Sequence, residues 1–145
     1  MMHVDVNILV TCPFSEAEIK RVVIVAQGFE KKIKSAVEIN IVSNKIIQDL
    51  NRRYRGLNKP TDVLSFSWQE DASVPAESLG QVYVAYPYIV QQAKRFGVTP
   101  KAEFYRMLSH GLLHLTGHDH LEESAAKKMF ALQEKIVAAL ESSKK

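Results

Sequence analysis

Residues 99–120 read TPKAEFYRMLSHGLLHLTGHDH and contain four of the five histidines in the 145-residue chain. Threonine followed by proline at 99–100 is typical of a helix start, because the hydroxyl caps the helix and proline suits its first position. Gly117 ends the pattern, because glycine adopts a left-handed backbone at low steric cost. The core-facing residues of this predicted helix, which runs from Pro100 to Leu115, are Phe104, Leu108, Gly111, Leu112 and Leu115.

Further predicted strands and helices lie on both sides of this helix. Alternating or wholly apolar stretches predict strands at residues 3–10, 36–43, 59–68 and 79–85, the third being entered after Pro60. Capped amphipathic stretches predict helices from 16 to about 30, at 45–55 and from 87 to about 96, and a last helix ends near 140. This mixed order predicts an α+β fold, in which an about four-stranded mixed sheet packs with about five helices. We expect residues 1–145 to form one small domain.

The composition limits the functional classes. The single cysteine excludes an intrachain disulfide and favours a cytoplasmic location. The N-terminus resembles no signal peptide, and no apolar run approaches the roughly 18 residues that span a bilayer, so we expect no membrane partner. The net charge of +3 mildly favours a polyanionic partner, although a solvated lysine-rich surface is the simpler explanation.

The clustered histidines predict a metal site at the end of the helix. His110 and His114 are four residues apart, so their imidazoles project from the same helical face and can hold one divalent ion. After the turn at Gly117, His120 can reach the same ion. The spacing matches the metzincin zinc pattern, but Gly111 replaces the glutamate that serves as the protease base. Three histidines and an open fourth position favour a catalytic site over a structural one.

The charge of this site favours a phosphodiester over a peptide, because three neutral ligands leave the ion's full positive charge to attract an anion. An isolated histidine pair on a helix is often mere surface decoration, and the third histidine is what strengthens the prediction. We expect His118 to point away from the ion and to face substrate or solvent. Asp119 with Glu122 has the spacing of a capping box for the last helix.

A basic segment, NRRYRGLNK at 51–59, has two interpretations. Its cations suit the C-terminal end of a helix, where they interact favourably with the helix dipole. They also suit a phosphate track, in which Arg55 grips the backbone and Tyr54 stacks on a base. For Thr61 and Asp62, which follow this segment, we expect structural hydrogen bonds.

Two blocks of sequence resemble the YbeY family of bacterial endoribonucleases. HGLLHLTGHDH at 110–120 is similar to the family signature H-G-x-L-H-L-x-G-x-D-H, and NRRYRGLNKPTDVLSF at 51–66 is similar to its second marker. The resemblance extends over essentially the whole chain. One segment departs from it: the family commonly has Leu-Gly-Asp-Ile where this chain has Leu79-Gly80-Gln81-Val82.

The resemblance implies a single-strand-specific, zinc-dependent endoribonuclease in 16S rRNA 3′-end maturation, rRNA processing and ribosome quality control. It implies one zinc ion per chain on His110, His114 and His120, with Arg55 in the substrate cleft. We also predict that His114 is a catalytic residue, whose replacement abolishes activity if the site is catalytic. The expected partners are single-stranded RNA or rRNA and the ribosome or its proteins, with no DNA. Two alternatives are a metalloprotease-like hydrolase and a non-catalytic, zinc-containing ribosome assembly factor. The general base, and the choice between water and the RNA 2′-hydroxyl as nucleophile, are open.

Overall fold

The structure, a computed structural model, describes residues 3–33, 36–68, 73, 78–118 and 122–142. Its strands are β1 (His3–Ile8), β2 (Ala36–Val42), β3 (Val63–Ser67) and β4 (Ser78–Ala85). Its helices are α1 (Glu16–Phe29), α2 (Asn44–Arg55), α3 (Tyr86–Phe96), α4 (Pro100–Leu115) and α5 (Glu123–Ser142).

The strands form one mixed sheet in the order β1-β2-β4-β3. β1, β2 and β4 run parallel, whereas β3 lies at one edge and runs antiparallel to β4. The predicted α+β class, with a four-stranded sheet and five helices in the described part of the chain, is confirmed. β3 begins at Val63, slightly later than the predicted entry after Pro60, and the Asp62 carboxylate accepts a hydrogen bond from the Val63 amide at 2.7 Å.

Helix α4 is the central helix of the larger core. It packs on β3 and β4 and also contacts α1, α3 and α5. Its predicted apolar face is confirmed, since Phe104, Leu108 and Leu112 are fully buried. The ring of Phe104 stacks on Phe14 with centroids 4.2 Å apart, which fixes α4 against the start of α1.

Helix α2 lies on the other face of the sheet, over β3 and β4. A smaller apolar cluster holds it there, formed by Val42, Ile47, Leu64 and Ala85. As a result, the C-terminal end of α2 lies near β3, the edge strand. Among the described helices, none is both long and apolar enough to cross a membrane.

Candidate active site

A cleft of about 560 Å³ lies between β3, the C-terminal end of α2 and α4. Its lining brings Arg55 together with His110 and His114, which come from distant parts of the sequence. Residues 61–67, Met107 and Leu115 also line it. The cleft therefore contains the predicted cation of α2 and two of the three predicted metal ligands.

The two histidines are neighbours because α4 is regular around them. Thr99 caps the helix by accepting a hydrogen bond from the Ala102 amide at 3.0 Å, as the sequence predicts. Four residues make about one turn, so His110 and His114 lie one above the other. Their ring centroids are 4.8 Å apart, with the ring planes at 77°. Both side chains are half-buried, so the pair lies at the boundary between core and cleft.

The chain turns at the end of α4, as predicted. Gly117 has a left-handed backbone, with φ of 98°, and its amide donates to the His114 carbonyl at 3.1 Å. His120 and Asp119 lie outside the described residues, so the third ligand and the predicted helix cap stay predictions. Within the residues that the structure covers, no group of three or more His, Cys, Asp or Glu side chains is arranged to hold a metal ion.

His118 points away from the cleft as predicted, but it faces neither substrate nor solvent, because only 10% of its side chain is exposed and it is paired with Glu30. Its Nε2 donates to the Glu30 carboxylate at 2.7 Å, and this pair links the turn after α4 to the end of α1. Burial by itself raises the pKa of Glu30, but the hydrogen bonds from His118 and from the Lys32 amide outweigh burial and leave the pKa lowered.

Gly111 lies where α4 packs closely on β3 and β4. A Cβ atom at this position would lie 2.8 Å from Val82 Cγ1 and 3.0 Å from Ser65 Oγ. The Ser65 hydroxyl also donates to the Gly111 carbonyl at 2.9 Å. The position that carries the glutamate base in metzincins therefore faces the packed strands β3 and β4 here, and even a Cβ atom would force its neighbours to shift.

The segment that carries Arg55 is braced by hydrogen bonds. Gly56 ends α2 in a left-handed conformation, with φ of 72°. The buried Asn51 side chain donates to the Lys59 carbonyl at 2.9 Å, which ties the following loop to the helix. Arg55 itself is exposed, so its guanidinium is accessible at the mouth of the cleft.

Tyr54, the residue before Arg55, lies on the surface beside the cleft. Its side chain is 60% exposed, and its ring contacts that of Phe66 edge-on, with centroids 5.2 Å apart. Phe66 lines the cleft. An exposed aromatic ring therefore adjoins the cavity that holds Arg55.

Comparison with known proteins identifies the family. The model of the family described as Endoribonuclease YbeY matches residues 9–141. The chain belongs to the endoribonuclease YbeY family. Endoribonuclease YbeY of Malacoplasma penetrans is 38% identical over 110 residues, which cover 74% of this chain and 73% of the relative. The protein of that name from Sulfurihydrogenibium is 44% identical over 101 residues, covering 69% and 66% of the two chains.

A solved structure supports the same fold. The solution structure of TM1509 from Thermotoga maritima matches with a TM-score of 0.62 and 30% sequence identity. The match covers 95% of this chain and 90% of that one. The mixed sheet and the helices around it are therefore similar to those of a known structure.

The departure at Gln81 from the YbeY family pattern has a structural explanation. Gln81 pairs with Glu38 of β2 in the sheet, and its side-chain amide donates to the Glu38 carboxylate at 3.0 Å. Side chains alternate along a strand, so Gln81 lies on the face opposite Val82 and α4. An amide here can donate to Glu38, whereas an aspartate would place two carboxylates side by side.

Thr61 and Asp62 have the structural role predicted for them. Asp62 Oδ1 accepts from the Val63 amide, and the Thr61 hydroxyl donates to the same oxygen at 3.3 Å. Asp62 Oδ2 accepts from the Gln92 side chain at 3.1 Å. These bonds fix the start of β3 and join it to α3.

Sequence reasoning missed a second group of polar residues behind His110. Gln133 lies in α5, and its Oε1 is 2.9 Å from His110 Nδ1. Glu103 is buried, with only 3% of its surface exposed, and is paired with Arg106 at 3.0 Å. In the sequence, Glu103 and Gln133 look like ordinary surface residues of their helices. Their burial is the feature that marks them, and it follows from the packing of α5 on α4.

Proposed function

We propose that this chain is a zinc-dependent endoribonuclease that cleaves single-stranded RNA. The observation that carries the proposal is the single cleft lined by Arg55, His110 and His114 in a chain of the endoribonuclease YbeY family. The relatives are named endoribonucleases, which supports RNA as the substrate class.

The proposed zinc ligands are His110, His114 and His120, for one ion per chain. The two described imidazoles fit this role, because they lie side by side on one helical face and line the same cleft. Imidazole nitrogen is a preferred ligand of zinc. When bound, the ion supplies Lewis-acid stabilisation of the negative charge that develops at the scissile phosphate.

Arg55 is the proposed phosphate-binding residue. Its guanidinium carries a permanent charge, and its planar donors match two oxygens of a phosphate. Because Arg55 lies at the mouth of the cleft and follows a braced helix end, it can hold the scissile group in the cavity beside the histidines. Removing one such donor from a site of this kind commonly lowers kcat by about 100-fold or more.

The surface around Arg55 suits a single strand of RNA. Arg52, Arg53 and Lys59 are exposed near it and supply further positive charge. The carboxylate of Asp49 lies 3.7 Å from Arg52, an exposed contact that competes weakly with a phosphate. The exposed ring of Tyr54 offers a stacking surface for an unpaired base.

The proposed biological setting is rRNA processing, including maturation of the 16S rRNA 3′ end, and ribosome quality control in the cytoplasm. Ribosomal RNA is the proposed substrate, and the ribosome or its proteins are the proposed partners. Neither DNA nor a membrane is proposed as a partner. The two sequence blocks shared with the YbeY family support this setting.

The metalloprotease alternative is less consistent with the geometry. A metzincin-like mechanism requires a glutamate after the first histidine ligand. Here that residue is Gly111, and the space beside it is filled by Val82, Ser65 and Val63. Digestion of casein by the zinc-loaded protein, without cleavage of RNA, would favour this alternative.

The test is cleavage of an end-labelled single-stranded RNA by protein of measured zinc content. We expect cleavage by the parent, none by His114→Ala, and about 100-fold lower kcat for Arg55→Ala. His3→Ala is the control for the first change, since His3 is exposed on β1. Arg95→Ala is the control for the second, because Arg95 also lies in the last turn of a helix that ends at a left-handed glycine.

The outcomes separate the candidates. Equal cleavage by the parent and His114→Ala would indicate a contaminating nuclease and contradict the proposed site. Zinc binding by the parent without cleavage of any RNA would instead favour the assembly factor. Mapping the ends of the products decides between water, which leaves a 5′ phosphate, and the 2′-hydroxyl, which leaves a cyclic phosphate.

A further inference from the structure

Gln133 makes a buried contact with the first proposed zinc ligand. Only 5% of its surface is exposed, although it is a polar residue of the long helix α5. Its side-chain Oε1 lies 2.9 Å from Nδ1 of His110. Its Nε2 lies 3.3 Å from Oε2 of Glu134, the next residue along the helix. The amide of Gln133 therefore lies between an imidazole and a carboxylate.

The carboxylate determines which way this amide points. An ionised carboxylate only accepts hydrogen bonds, so the NH₂ group of Gln133 must face Glu134. The carbonyl oxygen then faces His110, and because it too only accepts, Nδ1 of the imidazole must carry the hydrogen. A neutral imidazole with a hydrogen on Nδ1 has its lone pair on Nε2. The contact therefore selects one of the two tautomers of His110.

Arg106 holds the carboxylate of Glu134 in place. Its Nε and Nη2 donate to the two carboxylate oxygens of Glu134 at 2.8 and 3.1 Å. These hydrogen bonds lower the pKa of Glu134, so its side chain stays ionised near neutral pH. Arg106 is itself fixed, because its Nη1 donates to the buried Glu103 at 3.0 Å.

The same network reaches the opposite wall of the cleft. Gln92 donates through Nε2 to Glu103 Oε2 at 2.7 Å and to Asp62 Oδ2 at 3.1 Å. Asp62 in turn accepts from the amide of Val63, the first residue of β3. Hydrogen bonds thus connect the residues behind His110 with the strand that lines the other side of the cavity.

We infer that Gln133 is a positioning residue that holds His110 in the Nδ1–H tautomer, in which Nε2 is the ring nitrogen that can ligate a divalent metal ion. This inference rests on the proposed metal site. Ligand histidines commonly donate their second ring nitrogen to an acceptor, which fixes the ring and raises its basicity. In this chain the acceptor is an amide oxygen, and the ion pair of Arg106 and Glu134 sets its orientation.

The first measurement is the tautomer of His110 in metal-free protein labelled with ¹⁵N-histidine, above the pH at which the ring is protonated. We expect the hydrogen on Nδ1 in the parent. Gln133→Met has a similar volume and no oxygen, so it should lose this preference. Gln133→Glu keeps an acceptor and should therefore retain the Nδ1–H tautomer of His110. If Gln133 served only to fill space, the two variants would not be expected to differ in this way.

The second measurement is zinc affinity by competition with a chromophoric chelator. Loss of an acceptor behind a ligand histidine typically weakens metal binding by about 10- to 100-fold. We expect this loss for Gln133→Met and a smaller one for Gln133→Glu. Gln27→Met is the matched control. The Gln27 side chain also makes a partly buried hydrogen bond, to the Ile33 carbonyl at 2.8 Å, but it does not line the cleft. Thermal unfolding of each variant shows whether it folds.

An Nε2–H tautomer in the parent would overturn the inference, and so would equal zinc affinities for folded Gln133→Met and Gln27→Met. A parent that binds no zinc would contradict the proposed metal site, and the tautomer in metal-free protein would still decide the role of Gln133. Neither measurement depends on RNA cleavage, so failure of the proposed activity is distinguishable from failure of this inference.

Discussion

Replacement of Gly111 by alanine tests how closely α4 must approach the sheet. The added Cβ would lie 2.8 Å from Val82 Cγ1, 3.0 Å from Ser65 Oγ and 3.1 Å from Val63 Cγ2. Non-bonded carbon atoms prefer separations of about 3.5–4.0 Å. Since the contacted atoms belong to two neighbouring strands, α4 cannot relieve one contact by tilting without worsening another. We therefore expect the helix to move away from β3 and β4.

The expected magnitude follows from two opposing effects. Overfilling a packed core costs about 1–3 kcal/mol, and three close contacts favour the upper end of that range. Alanine is about 1 kcal/mol better than glycine inside a helix, which offsets part of the cost. The net loss in the free energy of unfolding is then about 2 kcal/mol. For a chain of 145 residues this lowers Tm by about 6 °C.

Gly28→Ala is the matched control for this change. Gly28 also lies in a helix, but a Cβ atom there would meet nothing within 4 Å. This variant should gain up to about 1 kcal/mol from helix propensity alone, and its Tm should rise slightly. Thermal unfolding of the parent and both variants, followed by circular dichroism, measures the difference. If Gly111→Ala proved as stable as Gly28→Ala, the close approach of α4 to the sheet would be refuted.

Two further predictions concern pH and RNA binding. The hydrogen bonds from Arg106 lower the pKa of Glu134, so this group stabilises the fold above about pH 4.3, and the contribution is lost as the pH falls through the lowered pKa. Urea unfolding between pH 2 and 6 should show that the free energy of unfolding falls more steeply below pH 4.3 for the parent than for Glu134→Gln. If the free energies of unfolding of the two proteins changed in parallel with pH, the contacts with Arg106 would not be the cause of the lowered pKa of Glu134. Tyr54→Ala should raise KM for single-stranded RNA about tenfold with little change in kcat, because base stacking contributes about 1–3 kcal/mol. Tyr54→Phe should resemble the parent, and an unchanged KM for Tyr54→Ala would exclude stacking.

Local sequence determined the ends of the helices and the pairing of the two histidines. Ser43 and Thr99 accept hydrogen bonds from backbone amides three residues on, and Gly56 adopts the left-handed backbone that ends α2. These features depend on atoms within one helical turn, so the residues themselves specify them. The same holds for His110 and His114, whose spacing places them on one helical face in any regular helix.

The tertiary structure alone decided which distant residues meet. β3 lies at the edge of the sheet beside β4, and this order places the end of α2 and its Arg55 opposite α4. In the sequence, Gln133 looks like an exposed polar residue. Packing of α5 on α4 buries it and places it in contact with His110. No short stretch of sequence encodes such contacts, because they follow from the summed burial of apolar faces over the whole chain. The sequence therefore specified the chemical groups of the site, and the packing of the sheet and helices brought them into one cleft.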